Sequence, residues 1–186
     1  MITVPSERPA DSISAWVERF APLIRPGGDV LDLACGRGRH LRWLAAQGFS
    51  VTGVDIDTTG LTDLRGATRI RVIEHDLERN SWPFQAETFD AVICINYLHR
   101  PLFTAIRSAL RDGGVLIYAT FAVGQAQYGK PTSPEFLLQP GELLRAYATL
   151  EIVAYEHGIR GASRPSVRQR LCAISADPRP QRLDGQ

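Results

Sequence analysis

Carboxylates follow three apolar runs of this chain, in a pattern typical of proteins that bind nucleosides. Asp32 precedes a small turn at residues 34–38, Asp55 ends the next run 23 residues later, and Asp76 ends the run after that. A carboxylate accepts hydrogen bonds from an ammonium group, from both hydroxyls of a ribose or from an exocyclic amine. The three positions therefore predict a site for a nucleoside that carries an amino-acid part.

The turn at residues 34–38 contains Gly36 and Gly38 but departs from the dinucleotide fingerprint. That fingerprint, G-x-G-x-x-G, has a third glycine for close packing of the helix on the strand, and Leu41 occupies this position. The carboxylate of Asp32 would also repel a pyrophosphate. A dinucleotide-dependent dehydrogenase is therefore the disfavoured alternative.

The elements that must position these carboxylates alternate between strand and helix patterns. Apolar runs predict strands at residues 29–33, 49–55, 70–75, 89–95 and 115–121. Helices are predicted at residues 12–24, 38–47, 59–64 and 140–148, and between Pro101 and Asp112. This alternation indicates a doubly wound parallel sheet, whose ligands bind at the carboxyl ends of its strands. Two further runs, at residues 150–157 and 168–175, have no helix between them and are expected to pair as an antiparallel hairpin.

Composition indicates one globular domain, expected at residues 1–176 and followed by a flexible tail at residues 177–186. The formal net charge is +1 and no apolar run approaches membrane length, so neither nucleic acid nor a membrane is an expected partner. The three cysteines, Cys35, Cys94 and Cys172, lie far apart and are expected to be buried thiols in a reducing compartment, not a metal cluster. These observations predict a cytoplasmic location and leave the oligomeric state open.

Five segments resemble, in order, the motifs of the class I S-adenosylmethionine-dependent methyltransferases. They cover residues 28–121 and read Leu31-Asp-Leu-Ala-Cys-Gly-Arg-Gly, Val54-Asp-Ile-Asp, His75-Asp-Leu, Phe89-Asp-Ala-Val-Ile-Cys and Leu110-Arg-Asp-Gly-Gly-Val-Leu-Ile. The resemblance implies an α/β, Rossmann-like doubly wound sheet of seven strands in the order 3-2-1-4-5-7-6, with the last strand antiparallel. More narrowly, the short chain and its Asn96-Tyr-Leu-His segment are similar to the small tellurite-resistance-type methyltransferases.

The resemblance also implies S-adenosyl-L-methionine as the cofactor. Asp32 and the amides of the turn would hold its methionine part, Asp55 its ribose, and Asp76 with the next residue the edge of its adenine. Arg37 and His40 would lie near the methionine carboxylate, and the residue after Asp55 would pack on the adenine ring. The expected cofactor-binding residues are Asp32, Ala34, Cys35, Gly36, Arg37, Gly38, His40, Asp55, Ile56, Asp76, Leu77 and Asn96. Asp76 has a second interpretation, as a cap of the loop that follows it.

The residues after the fourth predicted strand would face the space beyond the cofactor. A catalytic base is needed only for an acceptor that arrives protonated, and His99 and Tyr97 are the candidates for it. The alternative for His99 is a helix cap or a core histidine. The expected substrate-binding residues are Tyr97, His99, Arg100, Phe121 and Tyr128.

The methyl acceptor is expected to be a small molecule, because no substrate domain is inserted between the motifs. One hypothesis is a soft anion, such as a thiolate, selenium or tellurium species, attracted by Arg100 or by an arginine near the C-terminus. A second is an organic hydroxyl or amine, assisted by His99. A third is that the protein binds the cofactor without catalysis. Residues 122–139 are expected to form a flap over the site.

Overall fold

The computed structural model describes residues 12–175, so the expected tail at residues 177–186 lies outside the described residues. A single seven-stranded sheet has the order β3-β2-β1-β4-β5-β7-β6. Strands β1 to β5 are parallel, and β7 is antiparallel to both of its neighbours. The predicted strand order and the closing antiparallel hairpin are therefore confirmed. The strands are β1 Asp29–Leu33, β2 Ser50–Asp55, β3 Ile70–Glu74, β4 Phe89–Ile95, β5 Leu110–Phe121, β6 Glu151–Arg160 and β7 Ser166–Ile174.

The helices are shorter than predicted. They are α1 Ala15–Phe20, α2 Arg39–Ala46, α3 Phe103–Ser108 and α4 Glu142–Ala146. Single 3₁₀ turns occupy Ala21–Leu23, Arg100–Leu102, Gln125–Gln127 and Pro134–Phe136, and a longer 3₁₀ segment spans Thr59–Leu64. Helix α1 changes to 3₁₀ geometry at Pro22, because proline has no N–H to donate to the preceding turn. No helix within residues 12–175 combines the length and apolar composition that crossing a membrane requires.

Strand β5 begins five residues earlier than predicted, at Leu110 instead of Val115. The Asp112-Gly-Gly segment was expected to precede the strand, but the Gly113 N–H donates to the Ser175 carbonyl and the Gly114 carbonyl accepts from the Ser175 N–H. Backbone pairing with Ser175, directly after β7, thus carries the strand through a sequence that is typical of a turn.

The core lies on both faces of the sheet, and all seven residues of β4 are buried. Alternate residues of the central strands face opposite sides: Val92 packs in one apolar cluster and Ile93 in the other. Helices α1 and α2 cover the second of these faces, which contains the buried side chains of Trp16, Phe20 and Leu44. Burial on both faces explains why β4 reads as an uninterrupted apolar run.

Leu41 and Gly53 replace the third glycine of the dinucleotide fingerprint. A Cβ added to Gly53 would lie 2.6 Å from Leu41 Cδ1 and 2.9 Å from Cys35 Sγ. The close approach of helix and sheet is therefore made by a glycine in β2, and the larger Leu41 side chain on α2 fills the space above it. This packing holds the turn at residues 34–38 against the ends of β1 and β2.

Candidate functional site

Three adjoining cavities lie at the carboxyl ends of the parallel strands. The loop cavity, of about 280 Å³, is lined by Ala34, Cys35, Gly36, Arg37, Arg39, His40, Ile95 and Asn96. The edge cavity, of about 370 Å³, is lined by Ala34, Asp55, Ile56, His75, Asp76, Leu77, Glu78, Arg79 and Tyr97. The apolar cavity, of about 580 Å³, is lined by Glu78, Asn96, Tyr97, Leu98, Thr120, Phe121, Lys130, Pro131, Thr132, Ser133 and Phe136. The cavities share lining residues, so one ligand, or two ligands in contact, can occupy them together.

The turn between β1 and α2 forms one wall of the loop cavity. Ala34, Gly36 and Gly38 all have left-handed backbone angles, with φ of 51°, 54° and 70°. Only Gly38 has a further steric reason to be glycine, since a Cβ there would lie 2.8 Å from Leu61 Cδ2. The Cys35 thiol in this turn is buried, and burial raises its pKa. A buried thiol with a raised pKa is suited to packing and not to nucleophilic chemistry.

The Asp55 carboxylate is held in place at the end of β2. Its Oδ2 accepts a hydrogen bond from the Gly36 N–H over 2.7 Å, and its Oδ1 accepts one from the Asp57 N–H over 3.2 Å. Each carboxylate oxygen can accept a second hydrogen bond, so the group can still bind a diol. Asp57 is engaged elsewhere, because its Oδ1 accepts from the backbone and the hydroxyl of Thr59.

Asp32 and His40 form a buried polar pair behind the loop cavity. Asp32 is 1% exposed and does not itself line the cavity, whereas the imidazole of His40 does. His40 Nδ1 lies 3.6 Å from Asp32 Oδ2, and His40 Nε2 accepts a hydrogen bond from the Ser14 N–H over 3.4 Å. Asp32 Oδ2 has no hydrogen-bond partner in the described part of the chain. An unpartnered buried carboxylate oxygen beside a ligand cavity is suited to a cationic or strongly donating group.

Asp76 caps the loop after β3, as its second interpretation predicted. Its Oδ1 accepts hydrogen bonds from the backbone N–H groups of Glu78 and Arg79, over 2.9 and 3.0 Å. Asp76 and Leu77 nevertheless line the edge cavity together with Ile56, whose side chain is 65% exposed. The capping role therefore fixes Asp76 at the cavity that it was expected to line.

The apolar cavity is bounded by the ends of β4 and β5 and by the segment from Lys130 to Phe136. Phe121 and Tyr97 line it as predicted, and Leu98 and Phe136 add apolar surface. Glu78 and Lys130 are the charged side chains of this lining. The segment from residue 122 to residue 139 is anchored at its ends, where Ala122 pairs with Leu138. The arrangement makes a pocket for a flat apolar molecule with a polar edge.

Three predicted substrate-binding residues, His99, Arg100 and Tyr128, are not in the lining of the apolar cavity. His99 precedes the 3₁₀ turn Arg100–Leu102 and lines none of the three cavities. Tyr128 is 41% exposed at the end of the 3₁₀ turn Gln125–Gln127, because the left-handed Gly124 redirects the chain there. The structure therefore does not bring these two side chains to the lining of the apolar cavity.

Arg100 has a structural role in place of the predicted anion-binding one. Its guanidinium pairs with Glu142 at 2.6 and 3.1 Å and donates to the carbonyls of Glu135 and Leu137. Burial raises the pKa of Glu142, but the hydrogen bonds from Arg100 and from the Gln139 N–H outweigh it and lower the pKa overall. These partners engage four of the five N–H groups of the guanidinium, so its charge is already paired within the protein.

Glu78 and Arg168 are among the residues at or beside the cavities that were not predicted from the sequence. Glu78 lines both the edge and the apolar cavity. Its position two residues after the capping Asp76 is the sequence feature that could have identified it. Arg168 lies opposite Phe121 in the pairing of β7 with β5 and donates to Asn96 Oδ1 over 2.6 Å. Nothing local in the sequence gives that register.

Comparison with known proteins shows that part of the chain is similar to methyltransferases. Residues 30–114 match the family model described as methyltransferase domain. The chain is 30% identical over 125 residues to YqeM of Bacillus subtilis (strain 168), named as a methyltransferase, covering 61% of this chain and 49% of that protein. It is 33% identical over 108 residues to a ubiquinone biosynthesis O-methyltransferase of Actinobacillus pleuropneumoniae serotype 7, covering 50% of this chain and 46% of that protein. The chain thus spans about half the length of these relatives.

Solved structures agree on the fold. The crystal structure of TehB from Haemophilus influenzae superposes with a TM-score of 0.74 at 19% identity, covering 88% of this chain and 62% of that one. At this identity the likeness concerns the fold. The matched family, the strand order and the carboxylates at the ends of β2 and β3 agree with one another. Residues 30–114 therefore resemble a methyltransferase domain, and the sheet has the fold of the class I S-adenosylmethionine-dependent methyltransferases.

Proposed function

We propose that this protein transfers a methyl group from S-adenosylmethionine to the hydroxyl of a small aromatic acceptor. The observation that carries the proposal is the contact between an apolar, aromatic-lined cavity and the two cavities suited to the nucleoside, at Asn96, Tyr97 and Glu78. The O-methyltransferase named among the relatives supports the same chemistry.

The residues around the loop and edge cavities fit the cofactor. Asp55 has free acceptor capacity for the two ribose hydroxyls, and the exposed Ile56 side chain offers a flat apolar surface for adenine. The unpartnered Asp32 Oδ2 would stabilise the ammonium end of the methionine part, and His40, whose Nδ1 lies 3.6 Å from this oxygen, would hold the carboxylate in place. When bound there, S-adenosylmethionine supplies an electrophilic methyl group on a sulfonium.

The protein's own contribution is alignment and exclusion of water. Asn96 and Tyr97 lie where the cavities meet, so they would orient the acceptor oxygen toward the methyl group. Phe121 and Phe136 would hold the aromatic ring, and the segment that contains Lys130 would cover it.

The charges in the apolar cavity support a neutral hydroxyl, and not a soft anion, as the reacting group of the acceptor. Glu78 would repel a thiolate or an oxyanion of selenium or tellurium at close range. Arg100, which was expected to attract such an anion, is occupied by Glu142. Lys130, the chain's single lysine, can pair with an acidic substituent on the acceptor ring.

An assay of the purified protein tests the proposal. Calorimetry with S-adenosylhomocysteine and with NAD checks the cofactor, and we expect binding of the first alone. Production of S-adenosylhomocysteine is then measured with catechol, 4-hydroxybenzoate, aniline, benzenethiol, selenite and tellurite as acceptors. Turnover of the phenols supports the proposal. Turnover with selenite or tellurite alone assigns the acceptor to the soft anions, and cofactor binding without any turnover favours the non-catalytic alternative.

A matched pair of variants tests the assignment of the apolar cavity. Phe136 and Tyr128 lie in the same segment and are 44% and 41% exposed, but only Phe136 lines the cavity. Phe136→Ala is expected to raise KM for the aromatic acceptor about 10-fold through loss of apolar contact. Tyr128→Ala is expected to leave KM unchanged, and equal effects of the two changes would place the acceptor elsewhere.

A further inference from the structure

The Tyr97 hydroxyl is a buried polar group without a partner. Its oxygen is inaccessible to solvent and makes no hydrogen bond within residues 12–175. The backbone of Tyr97 is firmly held, because its carbonyl accepts a hydrogen bond from the Tyr118 hydroxyl over 3.0 Å. The ring lines both the edge cavity and the apolar cavity. The Tyr97 ring is therefore fixed at the boundary of the two cavities, with its hydroxyl buried.

Glu78 lies at the same boundary and lines the same two cavities. Its position is set by its backbone N–H, which donates to Asp76 Oδ1 over 2.9 Å. In the described part of the chain no ion pair engages the Glu78 carboxylate. The neighbouring Arg79 pairs with Asp76 instead, with 3.8 Å between Arg79 Nε and Asp76 Oδ2. Glu78 therefore offers an available proton acceptor to a molecule in the apolar cavity.

The Tyr97 hydroxyl is not suited to act as the base. Burial raises the pKa of Tyr97, and the negative charges of Glu78 and Asp76 raise it further. Tyr97 thus keeps its proton at neutral pH. Arg79 in the edge cavity and Lys130 in the apolar cavity are the cationic groups that face the pair.

We infer that Glu78 is the catalytic base of the proposed methyl transfer and that the Tyr97 ring positions the acceptor beside it. The inference rests on the proposed function. The acceptor oxygen forms a bond to the methyl carbon while the bond from that carbon to sulfur breaks. The electron pair of the broken bond stays with sulfur, which becomes a neutral thioether. The hydroxyl proton passes to the Glu78 carboxylate, which returns it to solvent because this side chain is exposed.

This assignment gives Glu78 the role that was predicted for His99. His99 lines none of the cavities, whereas Glu78 is a base in the lining of the one that would hold the acceptor. A carboxylate suffices because proton transfer accompanies the attack on carbon and need not precede it.

Binding of 4-nitrophenol tests the pair without any turnover. The protein is saturated with S-adenosylhomocysteine, and the absorbance of bound 4-nitrophenolate is followed against pH for the wild type and for Glu78→Gln. A nearby carboxylate disfavours an anion, so the bound probe should ionise at higher pH in the wild type, by about one pKa unit or tenfold in its ionisation constant. Glu135→Gln, at an acidic residue outside the cavity lining, is the matched control and should titrate like the wild type.

Kinetics with two acceptors separates a base from a structural residue. Glu78→Gln should lower kcat for catechol about 100-fold and change kcat for benzenethiol less than about 3-fold, because a thiol ionises without help near neutral pH. Equal losses with both acceptors, or an unchanged probe titration in Glu78→Gln, would overturn the assignment of Glu78. Failure of the wild type to bind S-adenosylhomocysteine or 4-nitrophenol would instead refute the proposed function.

Discussion

Arg168 donates a hydrogen bond to Asn96 Oδ1 over 2.6 Å, and its guanidinium carbon lies 4.0 Å from the centroid of the Phe121 ring. The contact joins β7 to the ends of β4 and β5, where the cavities meet. Burial lowers the pKa of Arg168 to about 10, so the side chain stays cationic at neutral pH. It thereby fixes one wall of the apolar cavity through both a polar and a cation–π contact.

Loss of this contact is expected to destabilise the fold. Arg168→Ala removes the hydrogen bond that the charged guanidinium donates to Asn96 and its cation–π contact with Phe121. The change should lower the free energy of unfolding by about 2 kcal/mol. Arg168→Lys should recover less than half of this, because an ammonium cannot stack as a plane. Urea denaturation measures the change. Arg160→Ala, at an exposed ion pair on the same hairpin, is the control, and equal stability of Arg168→Ala and Arg160→Ala would contradict the prediction.

Asp55→Ala is expected to weaken the binding of S-adenosylhomocysteine by about 1.5–3 kcal/mol, through loss of hydrogen bonds to a charged acceptor. Calorimetry measures the affinity directly. Asp57→Ala provides the comparison, because the Asp57 carboxylate is engaged with Thr59 and does not line the edge cavity. If Asp55→Ala binds as tightly as the wild type, the ribose is bound elsewhere.

Asp90 is expected to make stability depend on pH. Burial raises the pKa of this carboxyl, but hydrogen bonds from Arg25 and the Asp29 N–H, with the charge of Arg111, lower it overall. A carboxyl with a lowered folded-state pKa stabilises the fold above its unfolded-state pKa of about 4, and this stabilisation is lost as pH falls through the folded-state value.

The change Asp90→Asn tests this linkage. The variant should be about 2 kcal/mol less stable than the wild type near neutral pH, because it loses charged hydrogen bonds to a buried group. The difference should narrow as pH falls below about 4. Urea denaturation across this range gives the free energies. A difference that stays constant with pH would mean that packing, and not charge, explains the effect.

Gly53→Ala should destabilise the fold by overpacking the contact between β2 and α2. The added Cβ would lie 2.6 Å from Leu41 Cδ1, and forced repacking of this kind costs about 1–3 kcal/mol. Gly60→Ala is the control, since its added Cβ would meet nothing closer than Arg37 Cγ at 3.9 Å. Thermal unfolding of both variants provides the comparison. A Gly53→Ala protein as stable as Gly60→Ala would show that Leu41 can move aside at little cost.

Local pattern in the sequence was enough to predict most of the scaffold. Strands β1 and β4 have the predicted bounds, because a continuous apolar run between turn residues is characteristic of a strand buried on both faces. Asp55 and Asp76 line the edge cavity as predicted, because the carboxyl ends of parallel strands meet at one edge of a sheet. These features depend on residues close together in the chain.

Contacts between distant segments decided the rest. The bonds that engage Arg100 span about 40 residues, and those that engage Arg168 span 72, so no local pattern predicts them. The register of β7 on β5 also carried β5 through Asp112-Gly-Gly, against the local turn signal. The sequence by itself determined the positions of the strands and the carboxylates that suit a nucleoside, and its resemblance to the class I methyltransferases implied the strand order. Only the tertiary structure decided which side chains surround the acceptor, because that depends on strand register and on side-chain pairing across the sheet.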